Sequence, residues 1–243
     1  MELNNLVVFC YDFPHLKTKL GLQLLDLFGP EKSTIVAAPW KQLNINESNI
    51  RTQTNEIEYL HPKEICNKKE WDYFAYNHDS PEIKDLLMEI KPDVGIIFGS
   101  RILTIEVIEM FKLGILNLHP GLLPENRGLN TIQNAVLKKI PQAVTLHFIN
   151  KEIDMGKKII TQFINLAIND NLFDVQKKIL NTEMGIIRNL FEGNIDLENI
   201  DNLETKTSLN KVIGEDFQES FYTLFEDYKN NYTNILNNYK NKE

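Results

Sequence analysis

The stretch Gly114-Ile-Leu-Asn-Leu-His-Pro-Gly-Leu-Leu-Pro-Glu-Asn-Arg-Gly128 decides how the chain is read. It opens as an apolar strand. Asn117 and His119 then stand where a buried strand would carry Val or Ile. Side chains alternate along a strand, so residues two apart point the same way. Pro120 has no backbone donor and stops regular pairing. An amide beside an imidazole at the carboxyl end of a strand suits chemistry on a carbonyl.

On the amino-terminal side, Leu6–Tyr11 and Ser33–Ala38 read as short buried strands. Between them, Leu16–Phe28 reads as a helix with Leu16, Leu20, Leu24, Leu27 and Phe28 on its apolar face, ended by Gly29-Pro30. Residues 40–70 are polar, with a short strand expected at Ile57–Leu60. Ser80 and Pro81 open a capped helix carrying Ile83, Leu86, Leu87 and Ile90. Val94–Phe98 is a third strand, and Thr104–Phe111 a short helix. Strands alternating with helices predict an α/β fold whose mostly parallel sheet is flanked by helices. Ligands gather at the carboxyl ends of such strands, where Gly99-Ser100-Arg101 and His119-Pro120-Gly121 fall.

On the other side, Leu129–Lys139 reads as a helix and Ala143–Ile149 as a strand. Asp154-Met-Gly156 is a turn, with Gly suited to a left-handed backbone. Ile159–Ile164 reads as an antiparallel continuation, and Leu172–Phe191 as a long helix ended by Gly193. The catalytic domain is expected over residues 1–193. Residues 194–243 form a short C-terminal extension rich in Asn and charge. Its aromatic residues Phe217, Phe221, Tyr222, Phe225, Tyr228 and Tyr232 recur every three to four positions. That spacing predicts one amphipathic helix, its aromatic face packed or dimer-forming.

The chain has 243 residues, 42% hydrophobic and 25% charged, and a formal net charge of −8. These values fit one domain with an extension, and they argue against a nucleic-acid partner. Cys10 and Cys66 offer no disulfide framework and are expected to be reduced. The apolar run Leu6–Tyr11 is too short for a signal or a membrane span, so the protein is expected to be cytoplasmic. His119, His147 and Asp154 lack a metal-site spacing, so no metal is expected.

Asp154 follows the next strand. In a parallel sheet it would return to the edge that carries His119. A carboxylate near an imidazole favours its charged form and fixes its orientation. Asn117, His119 and Asp154 then suit attack of an amine on an acyl carbon, with the amide and imidazole facing the oxyanion. The spacing alone leaves the other reading open: satisfied polar residues at a strand end, and an Asp that caps a turn.

Three motifs occur in order: Asn117-x-His119-Pro120-x-Leu122-Leu123-Pro124-x-x-Arg127-Gly128, Val144-Thr145-x-His147, and Asp154-x-Gly156-x-x-Ile159-Ile160-x-Gln162. Together, over roughly residues 80 to 165, they resemble the N10-formyltetrahydrofolate-dependent formyltransferases. Gly121 stands where many members carry Ser, and Ala143 replaces a frequent Gly. The resemblance implies a Rossmann-like domain, a catalytic Asn117, His119 and Asp154, and N10-formyltetrahydrofolate as co-substrate. It implies a donor site at Phe98, Gly99, Ser100, Leu116 and Asp154. It implies an acceptor site at Asn77, Arg101, Pro120, Gly121, Asn126 and Arg127. For Phe98–Ser100 an ordinary strand-to-helix turn stays open, for Arg101 a solvated surface position, and for Arg127 a lock on loop carbonyls. His147 reads as a packed histidine.

Among acceptors, the methionyl-tRNA enzymes carry a basic C-terminal domain that this acidic tail does not match. The glycinamide ribonucleotide enzymes place a Gly-rich phosphate loop after the first strand, where this chain reads Asp12-Phe13-Pro14-His15. The chain is most similar to the sugar N-formyltransferases. That implies transfer to a nucleotide-linked amino sugar, such as dTDP-4-amino-4,6-dideoxyglucose, for O-antigen or other surface glycan synthesis. Other expectations are formylation of another small amine, hydrolysis of the formyl donor, or a folate- or nucleotide-binding module without catalysis.

Overall fold

A computed structural model describes residues 5–41, 60–69, 71–198, 200–203, 207–210 and 218–241. Chain order is β1 (Leu6–Tyr11), α1 (Leu16–Phe28), β2 (Ser33–Ala38), α2 (Pro62–Asn67), β3 (Asp72–Ala75), α3 (Pro81–Ile90), β4 (Val94–Ile97) and α4 (Ile105–Ile108). Then follow β5 (Gly114–His119), α5 (Thr131–Lys138), β6 (Ala143–Ile149), β7 (Gly156–Phe163), α6 (Leu172–Phe191), β8 (Asp201–Asn202), α7 (Gln218–Asn230) and α8 (Tyr232–Lys240). The eight strands form one sheet in the order β3-β2-β1-β4-β5-β6-β7-β8. The first five are parallel and the last three antiparallel. The order reverses direction between β1 and β4, which opens a crevice at their carboxyl ends.

Alternation along the strands sorts the core into two layers. Leu6, Val8 and Cys10, with Leu116 and Leu118, face a cluster shared with α1, α5 and α6. Val7, Phe9 and Ile115 face the cluster of α3 and α4. Asn117 and His119 continue the second face, past the last apolar residue β5 gives it.

Several elements differ from the sequence reading for identifiable reasons. Helix α1 buries Thr18, Gly21, Leu22 and Leu25, while Leu27 is 69% exposed. The small face wins because the Phe98 ring lies against Gly21, where a Cβ would sit 2.4 Å from it. Ser80 starts α3 but its side chain makes no capping bond. Edge strand β3 is not expected from the sequence because four residues, Asp72-Tyr-Phe-Ala75, are too few to show a periodicity. The strand expected at Ile57–Leu60 lies, except for Leu60, outside the described residues.

The C-terminal extension packs into the same core. Phe221, Phe225, Tyr228, Tyr232 and Leu236 are buried in the cluster that holds α6 and β6. Tyr228 Oη donates to Ile140 O at 2.7 Å and Tyr232 Oη to Ile164 O at 2.6 Å. The single helix predicted there is two, broken at Asn231, which leaves helical ψ. Phe217 lies outside the described residues. No helix among the described residues is long and apolar enough to cross a membrane.

Two histidines serve as neutral joints. His15 caps α1, accepting from Thr18 N at Nδ1, and burial followed by the nearby Lys17 pushes it down to about 4. His78, fully buried, faces Val36 O through Nε2 (3.2 Å) and accepts from Arg101 N through Nδ1 (3.2 Å). Burial takes its pKa from the usual 6.5 to about 4.

Truncating Phe221 to Ala is expected to cost about 3–5 kcal/mol of unfolding free energy in urea titrations, with one cooperative transition retained. Loss of the tail signal alone would show that the extension is not part of the domain core. Because His78 is lowered, the folded state refuses a proton that the unfolded state accepts. Stability is therefore held above pH 6.5 and lost as pH falls toward about 4. The expected slope is about 1.4 kcal/mol per pH unit for one such group. His78→Gln should remove that increment from the slope of stability against pH, and an unchanged slope would contradict it.

Candidate active site

Strand β5 pairs with β4 only as far as Leu116 opposite Ile96. On its other side it pairs with β6 through His119 opposite Thr145. Asn117, Leu118 and His119 thus extend past β4 and border a crevice. Lys17 from α1 donates to the carbonyl of Leu118 at 3.1 Å and pairs with Glu183 of α6 at 2.7 Å. The strand end is held from the opposite layer, leaving the face with Asn117 and His119 to the site.

The register places His147 opposite Asn117. Asn117 Nδ2 lies 3.2 Å from His147 Nε2, and His147 Nδ1 lies 3.2 Å from Phe148 O. The network requires Nδ1 of His147 to carry the proton and Nε2 to accept from the amide. Burial, then the neighbouring His119, pushes His147 down to about 4, which keeps that ring neutral. Its partner fixes which end of the Asn117 amide is nitrogen.

Asp154 reaches His119 by a route the sequence reading did not foresee. Strand β6 is antiparallel to β5, and β7 begins with Gly156 opposite Ile149, at the far end from His119. The β6–β7 loop folds back over the sheet face. There Asp154 adopts a left-handed φ of 49° and sets Oδ1 3.3 Å from His119 Nδ1. Its Oδ2 accepts from Gly128 N at 2.8 Å. Burial would raise this carboxyl, but the His119 hydrogen bond and the Gly128 amide outweigh it and hold it below its ordinary value. Gly156 makes the return possible: its φ is 128°, and a Cβ there would lie 2.1 Å from Phe148 O.

The ring of His119 is 4% exposed and held at both nitrogens. Nδ1 faces Asp154, and Nε2 donates to Asn126 O at 2.8 Å. Gly121 matters here because a Cβ would stand 2.7 Å from Nε2 and 2.9 Å from that carbonyl. Thr145, opposite His119, donates to Gly121 O at 2.8 Å and accepts from Leu123 N at 3.3 Å. The sequence reads His147 as a packed histidine and Thr145 only as part of the Val144-Thr145-x-His147 motif; the contacts both make depend on the strand opposite, which no local pattern names.

Other expected site residues divide. Pro120 is half-buried beside His119, whereas Gly121 is buried. Asn126 is 1% exposed, with its side chain and backbone groups bonded within the chain, so it offers nothing to an acceptor. Arg127 donates to Ile153 O and Thr207 O, which is the loop-locking alternative, and leaves no guanidinium face for a phosphate. Leu116 is packed in the core at 1% exposure. Phe98 is fully buried, its N–H donating to Phe9 O and its carbonyl accepting from Thr18 Oγ1. The donor contacts expected at Leu116 and Phe98 are therefore taken up by packing and pairing.

Around Phe98, Gly99 has φ 145° and Ser100 O accepts from Tyr11 Oη at 2.9 Å. The Arg101 guanidinium lies 5.2 Å over the Tyr11 ring. Its buried Nε has no hydrogen-bond partner among the described residues. Asn77 is exposed at the same end of the sheet. Among the described residues no three His, Cys, Asp or Glu side chains are grouped to hold a metal.

Comparison with known proteins places this geometry in a family. The formyl transferase family pattern matches residues 41–190. A methionyl-tRNA formyltransferase from Chlorobium limicola is 32% identical over 109 residues, covering 43% of this chain and 34% of the relative. A phosphoribosylglycinamide formyltransferase from Haemophilus influenzae is 32% identical over 106 residues, covering 43% of this chain and 50% of the relative. The chain thus spans a third to a half of these curated relatives. A sugar N-formyltransferase structure from a Shewanella species superimposes with a TM-score of 0.57 at 17% identity, over 88% of this chain and 78% of that one. At that identity the superposition shows the shared fold. With the family pattern covering more than half its length, the chain belongs to the formyl transferase family.

Proposed function

We propose that the protein transfers a formyl group from N10-formyltetrahydrofolate to the amine of a nucleotide-linked amino sugar. The observation that carries the reading is the trio at the free end of β5: the Asn117 amide oriented by His147, and His119 oriented by Asp154. In the proposed reaction the neutral amine attacks the formyl carbon. The second N–H of the Asn117 amide faces the oxygen that gains charge, and the His119 Nε2–H, which donates to Asn126 O in the free protein, is shared with that oxygen. Collapse breaks the bond to N10, and the proton lost by the amine ends on N10. Asp154 holds the imidazole throughout.

Three features support a sugar nucleotide over the relatives' acceptors. The net charge is −8, which disfavours tRNA. At the start of α1 the His15 ring takes the Thr18 amide, a group a phosphate loop would offer to glycinamide ribonucleotide. In the crevice between β1 and β4, Arg101 keeps a buried donor without a partner, which suits a diphosphate.

Asn117→Ala, His119→Asn and Asp154→Ala should each lower kcat about a hundredfold or more, measured as folate release with the amine present. Near-wild-type turnover in all three would reject the trio. Arg101→Ala should raise KM for the nucleotide sugar about tenfold or more with kcat little changed; an unaltered KM would remove Arg101 from acceptor binding. The acceptor itself is tested by mass spectrometry of dTDP-, UDP- and GDP-amino sugars, glycinamide ribonucleotide and water, each with the formyl donor. The expected result is a mass gain of one formyl group on an amino sugar. Formylation of glycinamide ribonucleotide alone, or donor hydrolysis alone, would overturn the proposed acceptor.

A further inference from the structure

We propose that Asn210, in the C-terminal segment, is a positioning residue for the His119 imidazole and acts through Asn126. Asn210 Nδ2 donates to Asn126 Oδ1 at 2.7 Å, and Asn210 N donates to Arg127 O at 2.9 Å. Its own Oδ1 accepts from Lys138 Nζ at 2.7 Å, and the same ammonium donates to Glu125 O at 2.7 Å. Asn210 also forms a parallel bridge with Gly128, where a Cβ would stand 3.1 Å from Asn210 O. Three residues earlier, Thr207 O accepts from Arg127 Nη1 at 2.7 Å, and Thr207 Oγ1 donates to Pro124 O. The segment is therefore fastened along the whole 124–128 loop.

Asn126 transmits this to the site. Its amide N–H donates to Leu122 O at 2.7 Å and its Nδ2 to Thr131 O at 2.8 Å. Its Oδ1 takes the Asn210 donor, and its backbone carbonyl takes His119 Nε2 at 2.8 Å. A residue 1% exposed with all four groups engaged behaves as a rigid joint. Asn210 is the member of that joint supplied from outside the domain core. Without its donor, Oδ1 of Asn126 would be buried and unpaired, at a cost that loosens the carbonyl facing His119.

Asn210→Asp is the cleanest probe. It keeps the shape and the acceptor for Lys138 but replaces the donor to Asn126 Oδ1 with an oxygen. In full-length protein carrying 15N-labelled histidine and no substrate, the His119 Nε2 resonance should shift relative to wild type while His147 keeps its own. Under turnover, kcat should fall about tenfold with KM for the formyl donor unchanged. Asn210→Ser, which retains a hydroxyl donor, should recover part of both, and thermal melts establish that each variant is folded. A folded Asn210→Asp protein with wild-type His119 resonances and kcat would overturn the inference. The kinetic arm rests on the proposed formyl transfer, but the resonance arm does not. If wild type formylates no amine, that reading fails while the link between Asn210 and His119 is still decided by the spectrum.

Discussion

Strand β5 is paired unequally on its two sides, and the site follows from that inequality. The ladder to β4 stops at Leu116, while the ladder to β6 runs on to His119. Backbone groups beyond the shorter ladder still need partners, and Lys17 supplies one for Leu118 from the far layer. The near face loses its apolar cover at the same place, since Ile115 is the last residue that β5 gives to the α3–α4 cluster. Two polar side chains can stand there without disturbing the core. The β6–β7 loop folds over them and brings a carboxylate to the imidazole.

Much of this was legible in the sequence because it depends on local alternation. The bounds of β1, α1, β2, β6 and α6 follow from apolar runs and their punctuation. The shared face of Asn117 and His119 follows from a spacing of two. What was not legible depends on strand direction and on long-range partners. The switch to antiparallel pairing at β6 has no sequence signature in a buried strand, so the sequence leads Asp154 to His119 by a parallel crossover where the structure uses the β6–β7 loop. Asn126 is expected at the acceptor site, and Arg127 either there or as a lock on loop carbonyls, but the sequence does not say which carbonyls. Their partners, Asn210, Thr207 and Ile153, lie 26 to 84 residues away in sequence, and no local pattern names them.

Histidine environments separate the scaffold from the candidate site. Of the five histidines, His15, His78 and His147 are pushed to about 4, chiefly by burial, and serve as neutral links between backbone and side chains. His119 alone among these four has a carboxylate at one ring nitrogen and a loop carbonyl at the other. The C-terminal helices join this frame: their aromatic face seals the α6 layer, and the segment before them grips the loop beside His119.

Everything proposed for this protein turns on formyl transfer taking place at the open end of β5. A crystal structure with a non-hydrolysable N10-formyl folate analogue tests it most directly. The formyl oxygen is expected about 3 Å from the Asn117 amide and from His119 Nε2, with the His119–Asp154 contact retained. An analogue bound elsewhere on the sheet, or one whose formyl group is turned away from both side chains, would contradict it.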